Sequence, residues 1–143
     1  LIKGKRMDLA IEKSVEFGVK SIHPVLFERS IKKTLNFERL SKVIASSAKQ
    51  TGRSIFPELK KILKFPEWIK KYENDNAFAC HFSGKSKIKN VVNSQTDEIM
   101  IIVGPEGDFS ASEIAILNDN KVPTRPKTNS TLFKFGNVIK KNC

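Results

Sequence analysis

Two hydrophobic periods alternate along this chain. Met7, Ala10, Ile11, Ser14 and Val15 recur at helical spacing and predict an amphipathic helix over Met7–Phe17, stopped at Gly18. Leu40, Val43, Ile44 and Ser47–Ala48 repeat that stripe between Phe37 and Gln50, with Gly52 as the stop. Between these helices Val19–Phe27 reads as a strand that Pro24 kinks or places at an edge. Pro57 and Pro66 bracket a looser region, and Pro66 suits the opening of a short helix through Tyr72. Ala77–His81 is a short apolar strand ending in Phe82-Ser83-Gly84, and Lys85–Val92 has room for one or two helical turns. Ile99–Val103 is uninterrupted and apolar, as expected of a strand covered on both faces. Ser110 and Glu113 then stand at the Ser-x-x-Glu spacing that opens a helix with a capping box.

Strands alternating with helices predict an α/β fold, a mainly parallel sheet with helices on both faces. At 143 residues the size fits one domain, spanning 1–143. No apolar run approaches the ~20 residues of a membrane helix, and no signal segment opens the chain. A hydrophobic fraction of 39% and a mean hydropathy of −0.32 fit a soluble globular protein. Cys80 and Cys143 are too few and too distant for a disulfide framework or a zinc site, so a reducing cytoplasm is expected and no metal. Leu1 stands where a natural start would have Met, which suggests a fragment lacking its N-terminal part. Charge changes the picture most: 26 Lys and Arg against 15 Asp and Glu leave a net +11. Scattered solvated lysines account for such a balance, and so does a polyanionic partner, most simply nucleic acid.

Candidate chemistry concentrates in Ile101–Glu113, a strand, a Gly/Pro turn and a capped helix start. Open α/β sheets place ligands at such a junction. Phosphate-binding Gly-x-x-x-x-Gly-Lys-Ser/Thr, Gly-x-Gly-x-x-Gly and Ser-centred hydrolase elbows are all absent. His23, beside Pro24, and His81, at a strand end, both read as structural, and neither belongs to a metal cluster. Gly104-Pro105-Glu106-Gly107 has two readings. It is a plain strand-to-helix turn, or a loop whose backbone groups hold a flat polar ligand such as adenine. Glu106 and Asp108 argue against phosphate there and favour a neutral or cationic ligand.

Several stretches together resemble one family. They are Lys3-Gly4-Lys5-Arg6-Met7-Asp8-Leu9 with Glu12-Lys13 and Glu16-Phe17-Gly18-Val19, then Ile22-His23-Pro24-Val25 with Glu28-Arg29-Ser30, and Ala48-Lys49-Gln50-Thr51-Gly52-Arg53. Val103-Gly104-Pro105-Glu106-Gly107 with Phe109-Ser110 and Glu113 completes the set. In this order, over residues 3–120, they resemble the 16S ribosomal RNA uridine-N3 methyltransferases of the SPOUT superfamily. The resemblance implies methyl transfer from S-adenosyl-L-methionine to a uridine N3 of small-subunit rRNA. It also implies a trefoil-knot domain, one of the rare exceptions to un-knotted topology. A homodimer and a preceding RNA-binding domain are implied as well. By likeness, Ile102, Val103, Gly104, Pro105, Glu106 and Gly107 would line the adenosine pocket, with His81 and Phe82 at the neighbouring strand end. Arg6, Arg29 and Arg53 would face the RNA of the small ribosomal subunit. The resemblance supplies no general base.

Three features depart from the family pattern. Asp108 replaces the last Gly of Gly-Pro-Glu-Gly-Gly, and Lys49 stands where the family has Glu. After Asn120 the family has a strand, a Leu-Gly-x-x-Ile-Leu-Arg-x-Glu-Thr-Ala loop that threads the knot, and a long last helix. Residues 121–143 form a divergent tail instead, with polar Val122–Ser130 and then Leu132–Ile139. One wall of the cofactor pocket is therefore evident and the other is not, which leaves activity in doubt. The alternative that the charge supports is a basic RNA-binding module or an inactive remnant without catalysis. A second reading of the tail has Leu132–Ile139 pairing in place of the lost strand.

Overall fold

A computed structural model describes residues 4–31, 33–72, 77–81, 98–105, 107–126 and 137–142. The helical turns expected at Lys85–Val92, together with Phe82, Glu106 and residues 132–136, lie outside the described residues. The elements run α1 (Gly4–Glu16), β1 (Val19–Leu26), α2 (Phe37–Gln50), β2 (Glu58–Leu59), β3 (Leu63–Lys64), α3 (Phe65–Lys71), β4 (Ala77–His81), β5 (Glu98–Val103), α4 (Ala111–Asp119), β6 (Thr124–Pro126) and β7 (Asn137–Asn142). They build one sheet in the order β2-β1-β7-β5-β4-β6, with β3 also beside β1.

Local chemistry sets the boundaries. Asn36 caps α2 by accepting the Arg39 N–H at 2.9 Å. At the other end Gly52 takes φ +65°, and the Arg53 amide reaches back to the Ala48 carbonyl at 2.9 Å, closing a Schellman motif. Gly18, at φ +69°, terminates α1 in the same left-handed way. Ser110 and Glu113 make the full capping box of α4.

Pairings of β1 with β2 and β3, and of β4 with β5 and β6, are parallel. Strand β7 is antiparallel to both β1 and β5, so those two run parallel to each other. The predicted mainly parallel sheet is thus found, with an antiparallel strand at its middle. Pro24 lies inside β1 without disrupting it. Ile22 accepts from the Lys60 amide on the β2 side, so the Pro24 nitrogen faces that side two residues on, opposite the gap between β2 and β3.

Helices cover both faces. Met7, Ile11 and Val15 of α1 and Leu40, Ile44 and Ala48 of α2 pack on Val19 and Ile22. Phe65, Trp68 and Ile69 of α3 and Leu117 of α4 pack with Val25, Ala79, Met100 and Ile102 on the other side. An irregularity between Val19 and Ser21 resets the strand's alternation, which is why Val19 shares a face with Ile22.

His23 is 2% exposed and bridges β1 to α3. Trp68 Nε1 donates to its Nδ1 at 3.2 Å, and its Nε2 lies 2.9 Å from Ser21 Oγ. An indole nitrogen only donates, so Nδ1 is the acceptor and the ring proton sits on Nε2, directed to Ser21. Tyr72 meets the imidazole edge-on at 4.5 Å. Every polar atom of the ring is thereby committed inside the core.

Candidate functional site

Because β1, β4, β5 and β6 run the same way, their carboxyl ends share one edge of the sheet. Cys80 is level with Val103 on one side and Arg125 on the other, and His81 with Pro126. The loops after β1 and β5 and the end of β4 therefore open onto a common edge, where doubly wound sheets bind ligands. The strand end itself is apolar: Ile102 and Val103 are fully buried, and Val103 packs on Ala10 of α1.

The turn after β5 closes through the Asp108 amide donating to the Pro105 carbonyl at 3.0 Å. Its left-handed residue is Asp108, at φ +62°, and not Gly104 or Gly107. A side chain in that region costs about 1 kcal/mol, least for Asp and Asn, so the position suits the family's glycine and tolerates this aspartate. Gly104 is needed for close approach. A Cβ there would lie 3.1 Å from the Phe109 ring and 3.3 Å from Asp108 Oδ1. Phe109 in turn packs edge-on against Phe27, the first residue after β1.

Three polar contacts tie the two loops. Arg29 Nη1 donates to the Gly107 carbonyl at 2.8 Å. Glu113, 4% exposed, accepts the Ser110 amide on Oε2 at 2.8 Å and the Glu28 amide on Oε1 at 2.7 Å. Ser112 Oγ donates to Glu28 Oε2 at 3.1 Å. Hydrogen bonds from the Ser110 and Ser112 side chains, with the nearby Arg29 charge, hold the Glu28 carboxyl below its ordinary range. In sequence Ser110 and Glu113 are legible as a local cap, but nothing marks the second use of Glu113, 85 residues away.

The expected arginines do not form one patch. Arg29 is at the carboxyl edge, and exposed Arg6 lies on the first turns of α1, whose Ala10 packs on Val103. Arg53 sits beyond the start of β1, where its Nη2 donates to the Glu16 carbonyl at 2.7 Å. An eight-residue strand separates it from Arg29, about 26 Å at ~3.3 Å per residue. Its guanidinium caps the C-terminus of α1, over the bare face of Gly18. Gly18→Ala is expected to cost about 2 kcal/mol, from left-handed strain and from a Cβ that would fall 2.5 Å from Arg53 Nη1. A thermal melt lowered by several degrees checks this; an unchanged melt refutes it.

Ile102, Val103, Gly104, Pro105 and Gly107 are thus found around one turn, with the His81 backbone at the adjacent strand end. Phe82 and Glu106 lie outside the described residues. Among the described residues no group of three or more His, Cys, Asp or Glu could hold a metal ion, and no helix is long and apolar enough to cross a membrane.

A family described as RNA methyltransferase domain matches residues 1–125. Ribosomal RNA small subunit methyltransferase E 2 of Borreliella burgdorferi is 32% identical over 124 residues, covering 82% of this chain and 51% of that protein. Two solved structures share the fold. One is a ribosomal RNA small subunit methyltransferase E from Neisseria gonorrhoeae bound to S-adenosyl methionine. Its TM-score is 0.79 at 23% identity, covering 94% of this chain and 58% of that one. The other, a probable rRNA-methyltransferase from Porphyromonas gingivalis, has a TM-score of 0.81 at 24% identity, covering 92% of this chain and 57% of that one. The chain spans about half the length of the curated relatives it matches.

Proposed function

The chain belongs to the RNA methyltransferase domain family, and from that premise we propose that it serves S-adenosylmethionine-dependent methylation of a uridine N3 in 16S rRNA. The observation that carries this reading is the family match through residues 1–125, which includes both loops of the carboxyl edge. The residues present fit the cofactor. The apolar strand end at Ile102 and Val103 and the Gly104 turn at the carboxyl edge suit backbone recognition of an adenine, and the buried Asp108 carboxylate beside Gly104 suits a cation better than a phosphate.

The cofactor supplies a methyl group on a positively charged sulfur. What the chain must contribute is alignment, worth several kcal/mol when the reacting atoms are held in line, and stabilisation of charge developing on the uracil. Backbone groups of Ile102–Gly107, with His81 and Phe82 at the next strand end, would hold the nucleoside. Arg6 and Arg29 would meet the rRNA at the same edge, and the net +11 would draw it in. The trefoil knot and the homodimer belong to the same proposal.

One observation favours the second reading, a basic RNA-binding module without catalysis. Residues 137–142 form a sheet strand where the resemblance implied a long helix beyond the cofactor loop. Two measurements decide. Calorimetric titration of the pure chain with S-adenosylmethionine, beside radiolabelled methyl transfer to unmodified small ribosomal subunits, is expected to show micromolar binding and label at a uridine N3. Binding of rRNA that is indifferent to the cofactor, with no label, overturns the enzyme in favour of the module.

A further inference from the structure

The three bonds between the β1 and β5 loops join residues 78 to 85 positions apart in sequence. Arg29 is the one that reaches the turn itself. Its guanidinium donates to the Gly107 carbonyl at 2.8 Å, and its stem lies along that glycine. A Cβ on Gly107 would stand 3.4 Å from Arg29 Cδ and 3.5 Å from Cβ, ordinary contact distances, so the arginine covers the face a side chain would occupy. The next residue, Asp108, is held at φ +62°. A turn carrying a left-handed non-glycine residue persists only where its surroundings over-determine it. Here the Asp108 amide bond to Pro105 fastens one side, the buried Glu113 the following segment, and Arg29 the carbonyl between them.

We propose that Arg29 is a positioning residue for the cofactor loop: its grip on the Gly107 carbonyl keeps the Pro105–Asp108 turn in its binding shape. This rests on the methyltransferase reading, and it assigns the arginine a second task besides meeting the rRNA. A charge-assisted bond to a carbonyl is stronger than a neutral one, so its loss is felt locally. Glu28 stays ionised beside Arg29, with its own acceptor taken up by Ser112. The Arg29 guanidinium thus holds the turn's carbonyl, while the neighbouring Glu28 is tied to the start of α4 through Ser112 and Glu113.

The test compares Arg29→Ala and Arg29→Lys with the unaltered chain by three readouts. They are hydrogen exchange at the Asp108 amide, calorimetric titration with S-adenosylhomocysteine, and filter binding of 16S rRNA. Arg29→Ala is expected to speed exchange at Asp108 and weaken the nucleoside about tenfold. The melting temperature should stay within a degree or two, and the exchange and nucleoside readouts are taken without rRNA, so a lost rRNA contact cannot produce them. Lys, which keeps one donor on a flexible stem, should restore part of the nucleoside affinity but not the slow exchange. Unchanged exchange and nucleoside affinity beside weakened rRNA binding would overturn the proposal, and so would faster exchange throughout the sheet with a lower melt. If the unaltered chain binds no nucleoside, the methyltransferase reading falls, and the exchange at Asp108 still decides whether Arg29 holds the turn.

Discussion

Ile139→Pro is expected to abolish cooperative folding, the largest single-residue effect the structure implies. Strand β7 is the only strand, among the described residues, whose backbone pairing joins the β1 and β5 halves of the sheet. Ile139 is level with Ile22 on one side and Ile101 on the other, at the middle of the strand. A central strand uses its amides on both flanks, so proline removes a ladder bond whichever way it faces and puts its ring against a neighbour. That costs about 3 kcal/mol or more at the substituted residue. Loss of register then opens two edges, β1 and β5, whose Ile22 and Ile102 are fully buried. A domain of this size has only about 5–15 kcal/mol in hand. Urea unfolding followed by the single Trp68 and by circular dichroism should show a lost or broad, non-coincident transition. A variant that melts within a few degrees of the parent, with the same denaturant slope, would show that the sheet does not depend on β7.

That strand also marks where the sequence stops being readable. Helix α2 is legible to the residue, because a full apolar stripe lies between the Asn36 cap and the Gly52 stop. The α4 start is legible for the same reason, since a capping box is local chemistry. Strands β2, β3 and β6 are not. Each has two or three residues, and Pro57, Pro66, Pro123 and Pro126 stand close by, so no period can emerge. Instead β6 takes its form from β4, through the Ala79 amide donating to the Pro123 carbonyl. Strand β7 ends in Lys140-Lys141-Asn142, with no alternation to mark a central strand. The site divides in the same way. The Gly104–Gly107 turn and its place at a strand end follow from local pattern, whereas the partners of Arg29 and Glu113 depend on how two distant loops meet. Arg53 is the sharpest case: basic and in a matching motif, it is exposed yet donates to the Glu16 carbonyl at the α1 C-terminus, a partner no local pattern announces.

Glu113→Gln is expected to be nearly as damaging as Glu113→Ala, although Gln preserves size, helix propensity and one carbonyl oxygen. The carboxylate is buried and both its oxygens accept backbone amides, from Ser110 at 2.8 Å and Glu28 at 2.7 Å. An amide side chain has a single acceptor oxygen, so one of the two backbone N–H groups would face an NH2 donor and lose its bond. A buried donor left unmatched costs about 1–3 kcal/mol, and losing a charge-assisted bond adds to it, giving about 2–3 kcal/mol in all. Ser110→Ala supplies the comparison, because loss of a helix cap alone costs about 1 kcal/mol. If Glu113 did no more than complete the cap, the two variants would melt alike. The structure implies instead that Glu113→Gln melts several degrees lower and weakens nucleoside binding, because the freed Glu28 amide lets the Arg29 loop move. Crossing Glu113→Gln with Arg29→Ala should then give a double variant whose loss of nucleoside affinity is clearly less than the sum of the two, since both fasten the same pair of loops. Strict additivity would show that the cap and the arginine act on the turn independently, and the shared clamp would have to be given up.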